Sequence, residues 1–156
     1  MGCEIERKFL VVNDSWYSGE TGVRMSQGYL SRDIERTVRV RVAGECAWLT
    51  VKGETVGIRR AEYEYGIPVA DGVELLGMCL PAVIDKVRHR VEFMGRVWEV
   101  DVFAGVNEGL VMAELELADE GVEVDLPPWV GLEVSGDPRY YNANLAQRPF
   151  REFGGG

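Results

Sequence analysis

Residues 4–11 read Glu4-Ile5-Glu6-Arg7-Lys8-Phe9-Leu10-Val11, and the fold turns on how this stretch is read. In a β-strand, side chains alternate between two faces, so Glu4, Glu6 and Lys8 share one face and Ile5 takes the other. Two carboxylates and an ammonium on one face allow two explanations: the face is wetted by solvent, or it lines a charged interior. One strand cannot separate them, because any half-buried sheet alternates apolar and polar positions.

The same alternation recurs along the chain. In VRVRV, Arg39 and Arg41 oppose Val38, Val40 and Val42. Lys52 shares its face with Thr50, and in RAEYEY the residues Arg60, Glu62 and Glu64 oppose Tyr63 and Tyr65. In KVRHRVE, Lys86, Arg88, Arg90 and Glu92 oppose Val87, His89 and Val91. Glu99 and Asp101 oppose Trp98, Val100 and Val102, while Glu114 and Glu116 oppose Leu115 and Leu117. The polar positions are nearly all full charges, and the strands are segregated by sign. Solvation alone does not call for like charges two residues apart, and like-charge neighbours on a sheet are mildly destabilising.

Closing such a sheet into a barrel with the charged face inward buries charges at a cost, unless they are paired or bind ions. Clustered Lys and Arg suit the oxygens of a polyanion. Clustered Glu suits a hard divalent cation, Mg²⁺ or Mn²⁺. The two together point to a phosphate chain with its metal and to phosphoryl transfer.

Composition sets the frame for this reading. A chain of 156 residues corresponds to one domain able to bury its own core. With 46% hydrophobic and 28% charged residues it is globular in character, which excludes wholesale disorder. A net charge of -9 argues against a general nucleic-acid or anionic-membrane binder, though not against a local basic pocket. Cys3, Cys46 and Cys79 include no CxxC pair and read as reduced, structural thiols of a cytoplasmic protein. The start, MGCEIERKF, has no apolar leader core, and Glu6 stands where a myristoylation motif needs Ser or Thr. No apolar run reaches the roughly 18 residues of a membrane span.

The organisation is mainly β, with one domain over 1–153 and a flexible glycine tail at 154–156. Candidate strands cover 3–11, 24–30, 35–43, 46–53, 57–67, 85–94, 96–103 and 110–118, with hairpin turns at Gly44 and Gly95. A helix over 71–80 opens on a capping box of Asp71 and Glu74, carries Val73, Leu76 and Leu80 on one stripe, and stops at Pro81. A second helix spans 139–147, and 12–23 is loop or a short helix. The apolar outer face needs a cover, either these helices or a second copy in a homodimer. His89 falls on that outer face, as do the Trp residues, Tyr63 and Tyr65, which read as packing residues.

These residues together resemble the CYTH superfamily, the triphosphate tunnel metalloenzymes. The resemblance rests on Glu4-Ile5-Glu6-Arg7-Lys8, QGYL at 27–30, the Arg39/Arg41 pair, TVK ending at Lys52, EYE at 62–64, KVR at 86–88, DVFAG at 101–105, ELE at 114–116 and RYYN at 139–142. It implies an eight-stranded antiparallel closed barrel forming a charged tunnel, helices packed outside, and hydrolysis of a triphosphate-containing small molecule with Mg²⁺ or Mn²⁺. The short bacterial members it most resembles imply inorganic tripolyphosphate as substrate. The resemblance makes Lys8, Arg39, Arg41, Lys52, Lys86 and Arg88 the phosphate cradle, with Arg60 and Asp101 as weaker additions. Glu4, Glu6, Glu114 and Glu116 become the catalytic metal ligands, and Glu62 and Glu64 join them as metal ligands. Where the family pattern has a Lys in or just after RYxN, this chain has RYYNANLA, which leaves Arg139 as the nearby cation. The competing functions are nucleoside or thiamine triphosphatase, a class IV-type adenylate cyclase, and a non-catalytic triphosphate sensor. A wet-faced β-sandwich used for protein interactions is the reading without chemistry.

Overall fold

A computed structural model describes residues 2–153. The charged N-terminal stretch forms β1 (Cys3–Val11), followed by β2 (Val23–Asp33), β3 (Arg36–Ala43), β4 (Cys46–Lys52) and β5 (Arg59–Ile67). Helix α1 (Val69–Met78) leads into β6 (Leu80–Phe93), β7 (Arg96–Phe103) and β8 (Val111–Glu116). The chain ends with β9 (Val130–Glu133) and α2 (Asn142–Gln147), with single 3-10 turns at Gly105–Asn107, Pro138–Tyr140 and Phe150–Glu152. No helix among the described residues is long and apolar enough to cross a membrane. The glycine tail at 154–156 lies outside the described residues.

Strand neighbours run β5-β4-β3-β2-β6-β7-β8-β1, and β1 also pairs with β5, so eight antiparallel strands close on themselves. Closure leaves no free edge among them. It depends on β1 changing partner along its length. Cys3, Glu4 and Ile5 lie opposite Ala61, Arg60 and Arg59 of β5, whereas Phe9 and Val11 pair with Glu133 and Val130 of β9. The β6–β7 hairpin turns on Met94 and Gly95, both with positive φ (49° and 75°), which matches the twist of the strands it joins.

The outward faces of β1, β7 and β8 form one core: Ile5, Phe9, Trp98, Val100, Ala113 and Leu115 pack with Leu117 and Trp129. Its cover is the β8–β9 connection, through Val122, Val124 and Trp129, together with Trp16. The expectation that helices cover this face is corrected there, because an irregular loop with well-placed apolar residues does it. Helix α1 instead lies on β3 and β4, with Gly72 so close to Ala47 that an added Cβ would stand 2.6 Å from the Ala47 Cβ.

A second core fills one end of the barrel. Tyr29, Ile84, Phe103 and Met112 pack against Val134, Tyr140, Leu145 and Ala146 of the C-terminal segment, with Leu10 at its margin. The barrel is therefore stoppered at that end by α2 and its flanking turns.

Several local expectations change. Helix α1 begins at Val69 after Pro68, and no side chain caps it, so Asp71 sits inside the first turn and the capping box does not form. Pro81 lies within β6 rather than ending the helix. The 139–147 segment is broken at Tyr141, which is extended (φ -69°, ψ 131°). Tyr63 and Tyr65 do point outward but are exposed, and Cys3 and Cys46 are exposed thiols rather than packed ones.

Candidate functional site

Alternation along the closed strands turns the charged positions inward, onto a cavity of about 600 Å³. Its wall contains each of the carboxylates Glu4, Glu6, Glu62, Glu64, Glu114 and Glu116, and each of the cations Lys8, Arg39, Arg41, Lys52, Arg60, Lys86 and Arg88. Register explains the convergence. Glu6 lies opposite Glu116 and Lys8 opposite Glu114, Glu99 opposite Glu114, Arg88 opposite Asp101, and Lys52 opposite Glu62.

Asp101, only a weak candidate from sequence, is fully buried behind the wall and organises it. Its carboxylate accepts hydrogen bonds from Arg88 Nε at 2.7 Å and Nη2 at 2.9 Å, and it ion-pairs with Lys86 Nζ at 2.8 Å. Burial opposes its charge, but Lys86 and Arg88 outweigh that and hold its pKa below the ordinary value. The same forked contact, against the cost of burial, keeps Arg88 firmly protonated. Lys86, also in contact with Asn142 Oδ1 at 3.0 Å, is pushed down to about 7 by burial, with Arg88 and Arg41 adding repulsion.

The opposite wall is acidic. Lys52 bridges Glu4 at 2.9 Å and Glu62 at 3.2 Å, Arg39 reaches Glu64 at 3.3 Å, and Lys8 lies 3.7 Å from Glu114. Burial raises the cost of charge on Glu114, but Lys8, Arg88 and Lys86 hold its pKa well below the usual carboxylate range. Glu6 goes the other way. Burial and the neighbouring Glu114 charge push it up to about 8, despite Lys8. Among the described residues, neither Glu6 nor Glu116 has a cation within ion-pair distance.

Two facing carboxylates without a protein cation are chemically suited to a hard divalent cation. Among the described residues, no three His, Cys, Asp or Glu side chains form a ready-made metal cage.

Sequence reasoning placed Gln27 and Asn142 in the QGYL and RYYN motifs but gave them no role; they tie the stopper to the cradle. Gln27 Nε2 donates to Asn142 Oδ1 at 3.1 Å and Gln27 Oε1 accepts from Arg41 Nε at 2.9 Å, so Asn142, Gln27, Lys86 and Arg41 form one network. Thr50 donates to Glu64 at 3.0 Å. Arg32 also lines the cavity, against the simple alternation of β2. Arg90 and Glu99 line it as alternation requires. Arg139 does not reach the cavity; its guanidinium pairs with Asp137 at the surface. His89 stays outside the charged interior, packed between Trp16 and Tyr17 with ring centroids at 4.9 and 5.8 Å.

A closed antiparallel barrel with cations and carboxylates facing one enclosed volume is the architecture of a tunnel protein for multiply charged anions. The chain belongs to the CYTH domain family, whose description matches residues 2–149. It is 50% identical, over 98% of its length and 99% of the relative's, to an inorganic triphosphatase of Acetivibrio thermocellus. An inorganic triphosphatase of Nitrosomonas europaea is 36% identical over 92% of this chain and 96% of that protein. A crystal structure of an inorganic triphosphatase superposes with a TM-score of 0.66 at 35% identity, covering 92% of this chain and 93% of that one.

Proposed function

We propose that this protein hydrolyses inorganic tripolyphosphate to pyrophosphate and orthophosphate inside the barrel, using Mg²⁺ or Mn²⁺, with residues 1–153 acting as one catalytic domain. The observation that carries the reading is a single cavity whose wall holds Arg39, Arg41, Lys86 and Arg88 together with Glu6 and Glu116, two facing carboxylates that, among the described residues, have no cation within ion-pair distance. The two relatives named as inorganic triphosphatases, aligned over nearly the whole chain, support it.

On this reading Lys8, Arg39, Arg41, Lys52, Lys86 and Arg88 bind the phosphate oxygens and fix the chain's direction. Arg41, whose Nε alone is engaged by Gln27, offers its terminal N–H donors to equatorial oxygens, while Arg88, held by Asp101, and Lys86 contribute positive charge. Glu6 and Glu116, with Glu4, Glu62, Glu64 and Glu114 around them, would hold the divalent cation, which supplies charge neutralisation on the phosphates. Water attacks a terminal phosphorus in line, the P–O–P bond breaks, and pyrophosphate leaves with the bonding pair. The fixed cations stabilise charge spread over the transferring group and the leaving oxygen, with no reorganisation needed at that moment. A cytoplasmic setting is part of the proposal, supported by three unpaired thiols.

The test is phosphate release from tripolyphosphate, ATP and thiamine triphosphate in parallel. The proposal expects release from tripolyphosphate to dominate and to need the metal. Cyclic AMP and pyrophosphate from ATP would favour a cyclase, and tight binding without turnover a sensor.

A further inference from the structure

Strand β2 carries one extra residue, Leu30: Tyr29 lies opposite Arg39, and Ser31 opposite the next residue, Val38. A single unpaired residue reverses which face later side chains take. Met25, Gln27 and Tyr29 face the cavity side, so strict alternation would send Arg32 outside. The bulge instead sets Arg32 opposite the inward Thr37, on the cavity wall.

Its surroundings there are unusual for this barrel. Arg60 donates to Thr37 Oγ1 at 3.4 Å and to the Gly53 carbonyl at 3.0 Å, spending its donors on neutral groups. Arg32 Nε and Nη2 are buried and, among the described residues, have no hydrogen-bond partner. Among the described residues, neither arginine ion-pairs with a carboxylate inside the cavity, nor do Arg41 and Arg90, whereas Lys8, Arg39, Lys52 and Arg88 do and Lys86 pairs with Asp101 behind the wall. Buried guanidinium N–H groups without acceptors are costly, and an oxyanion is the ligand that satisfies several at once. Water alone would supply acceptors but not the counter-charge.

We propose that Arg32, with Arg60, forms an anion subsite at the Thr37 end of the cavity that takes a terminal phosphate of the substrate, which makes Arg32 a substrate-contacting residue. This rests on the reading of the cavity as a triphosphate site. The subsite exists because of the bulge, which inserts a guanidinium into a strand whose other inward residues there are Met25, Gln27 and Tyr29.

The experiment compares the full-length parent with Arg32→Gln and Arg32→Lys, measuring KM and kcat for tripolyphosphate with Mg²⁺, and Tm by circular dichroism. The proposal expects Arg32→Gln to raise KM about tenfold or more, as for loss of one charge-assisted contact. Tm should hold within a few degrees, with Arg32→Lys falling between. An unchanged KM in Arg32→Gln, with or without a lower Tm, assigns Arg32 a structural role and overturns the subsite. If Arg32→Gln does not fold, Arg32→Lys decides: it keeps the charge but loses the fork, so a raised KM supports the subsite and an unchanged KM overturns it. A parent that turns over no tripolyphosphate fails the functional reading first, whereas an active parent matched by its variants fails this proposal alone.

Discussion

Glu6 carries the sharpest conflict between stability and function in the molecule. Its folded pKa of about 8 exceeds the ordinary 4.5. The folded protein therefore holds a proton there that the unfolded chain releases as pH rises from 4.5, and stability falls until pH passes about 8. Glu6→Gln removes that loss. In EDTA at pH 8 the variant should melt at a higher temperature than the parent, yet lose most of its turnover, on the order of a hundredfold. Thermal melts and phosphate release on the same sample check both. Lys86 shifts the opposite way. Its pKa falls from 10.5 to about 7, so between those values the unfolded chain binds the extra proton and stability rises with pH. A polyanion beside Lys86 restores the charge. Binding tripolyphosphate at pH 8 should therefore take up protons, which calorimetry in two buffers of different ionisation enthalpy would register. Asp101 anchors both cations of this wall. Asp101→Ala leaves Arg88 and Lys86 buried without their carboxylate and should cost about 3–5 kcal/mol in urea unfolding.

At the scale of elements, the C-terminal segment does two jobs. Its apolar residues Tyr140, Leu145 and Ala146 stopper the barrel, and Asn142 links that stopper to Lys86 and Gln27. Asn142→Ala removes one acceptor shared by two donors. It should cost about 1 kcal/mol of stability and raise KM for tripolyphosphate more than it lowers kcat, as steady-state kinetics would show. The strands themselves were legible because period-2 alternation of full charges is hard to mistake, whereas closure into an eight-stranded barrel came from the family resemblance, since alternation alone also allows a wet-faced sheet. The ladder placed Glu4, Arg39, Lys52, Arg88 and Glu114 on one wall as alternation required. What alternation could not reveal were departures from it. The bulge at Leu30 leaves no mark in the letters and inverts Arg32. β9 spans only Val130–Glu133, too short for a pattern. Asn142 and Gln27 matter through contacts between segments far apart in sequence, and helix α1 is held by packing on β3 and β4, not by the capping residues its letters offered.

For the whole molecule, the net charge of -9 and the cationic half of the cavity are reconciled by enclosure. The surface is acidic overall, while closure of eight strands concentrates arginine and lysine where solvent screening is weak. The outer apolar face of β1, β7 and β8 is covered by the β8–β9 connection, and the C-terminal segment fills one end of the barrel. The central claim is that this enclosed wall of paired signs serves a bare phosphate chain and its metal. The most direct test is phosphate release from tripolyphosphate by the purified protein with Mg²⁺, with Mn²⁺ and with EDTA, beside ATP under the same conditions. The account predicts rapid release from tripolyphosphate with one of the two metals, little from ATP, and none in EDTA. Equal release in EDTA, or faster release from ATP than from tripolyphosphate, would contradict it.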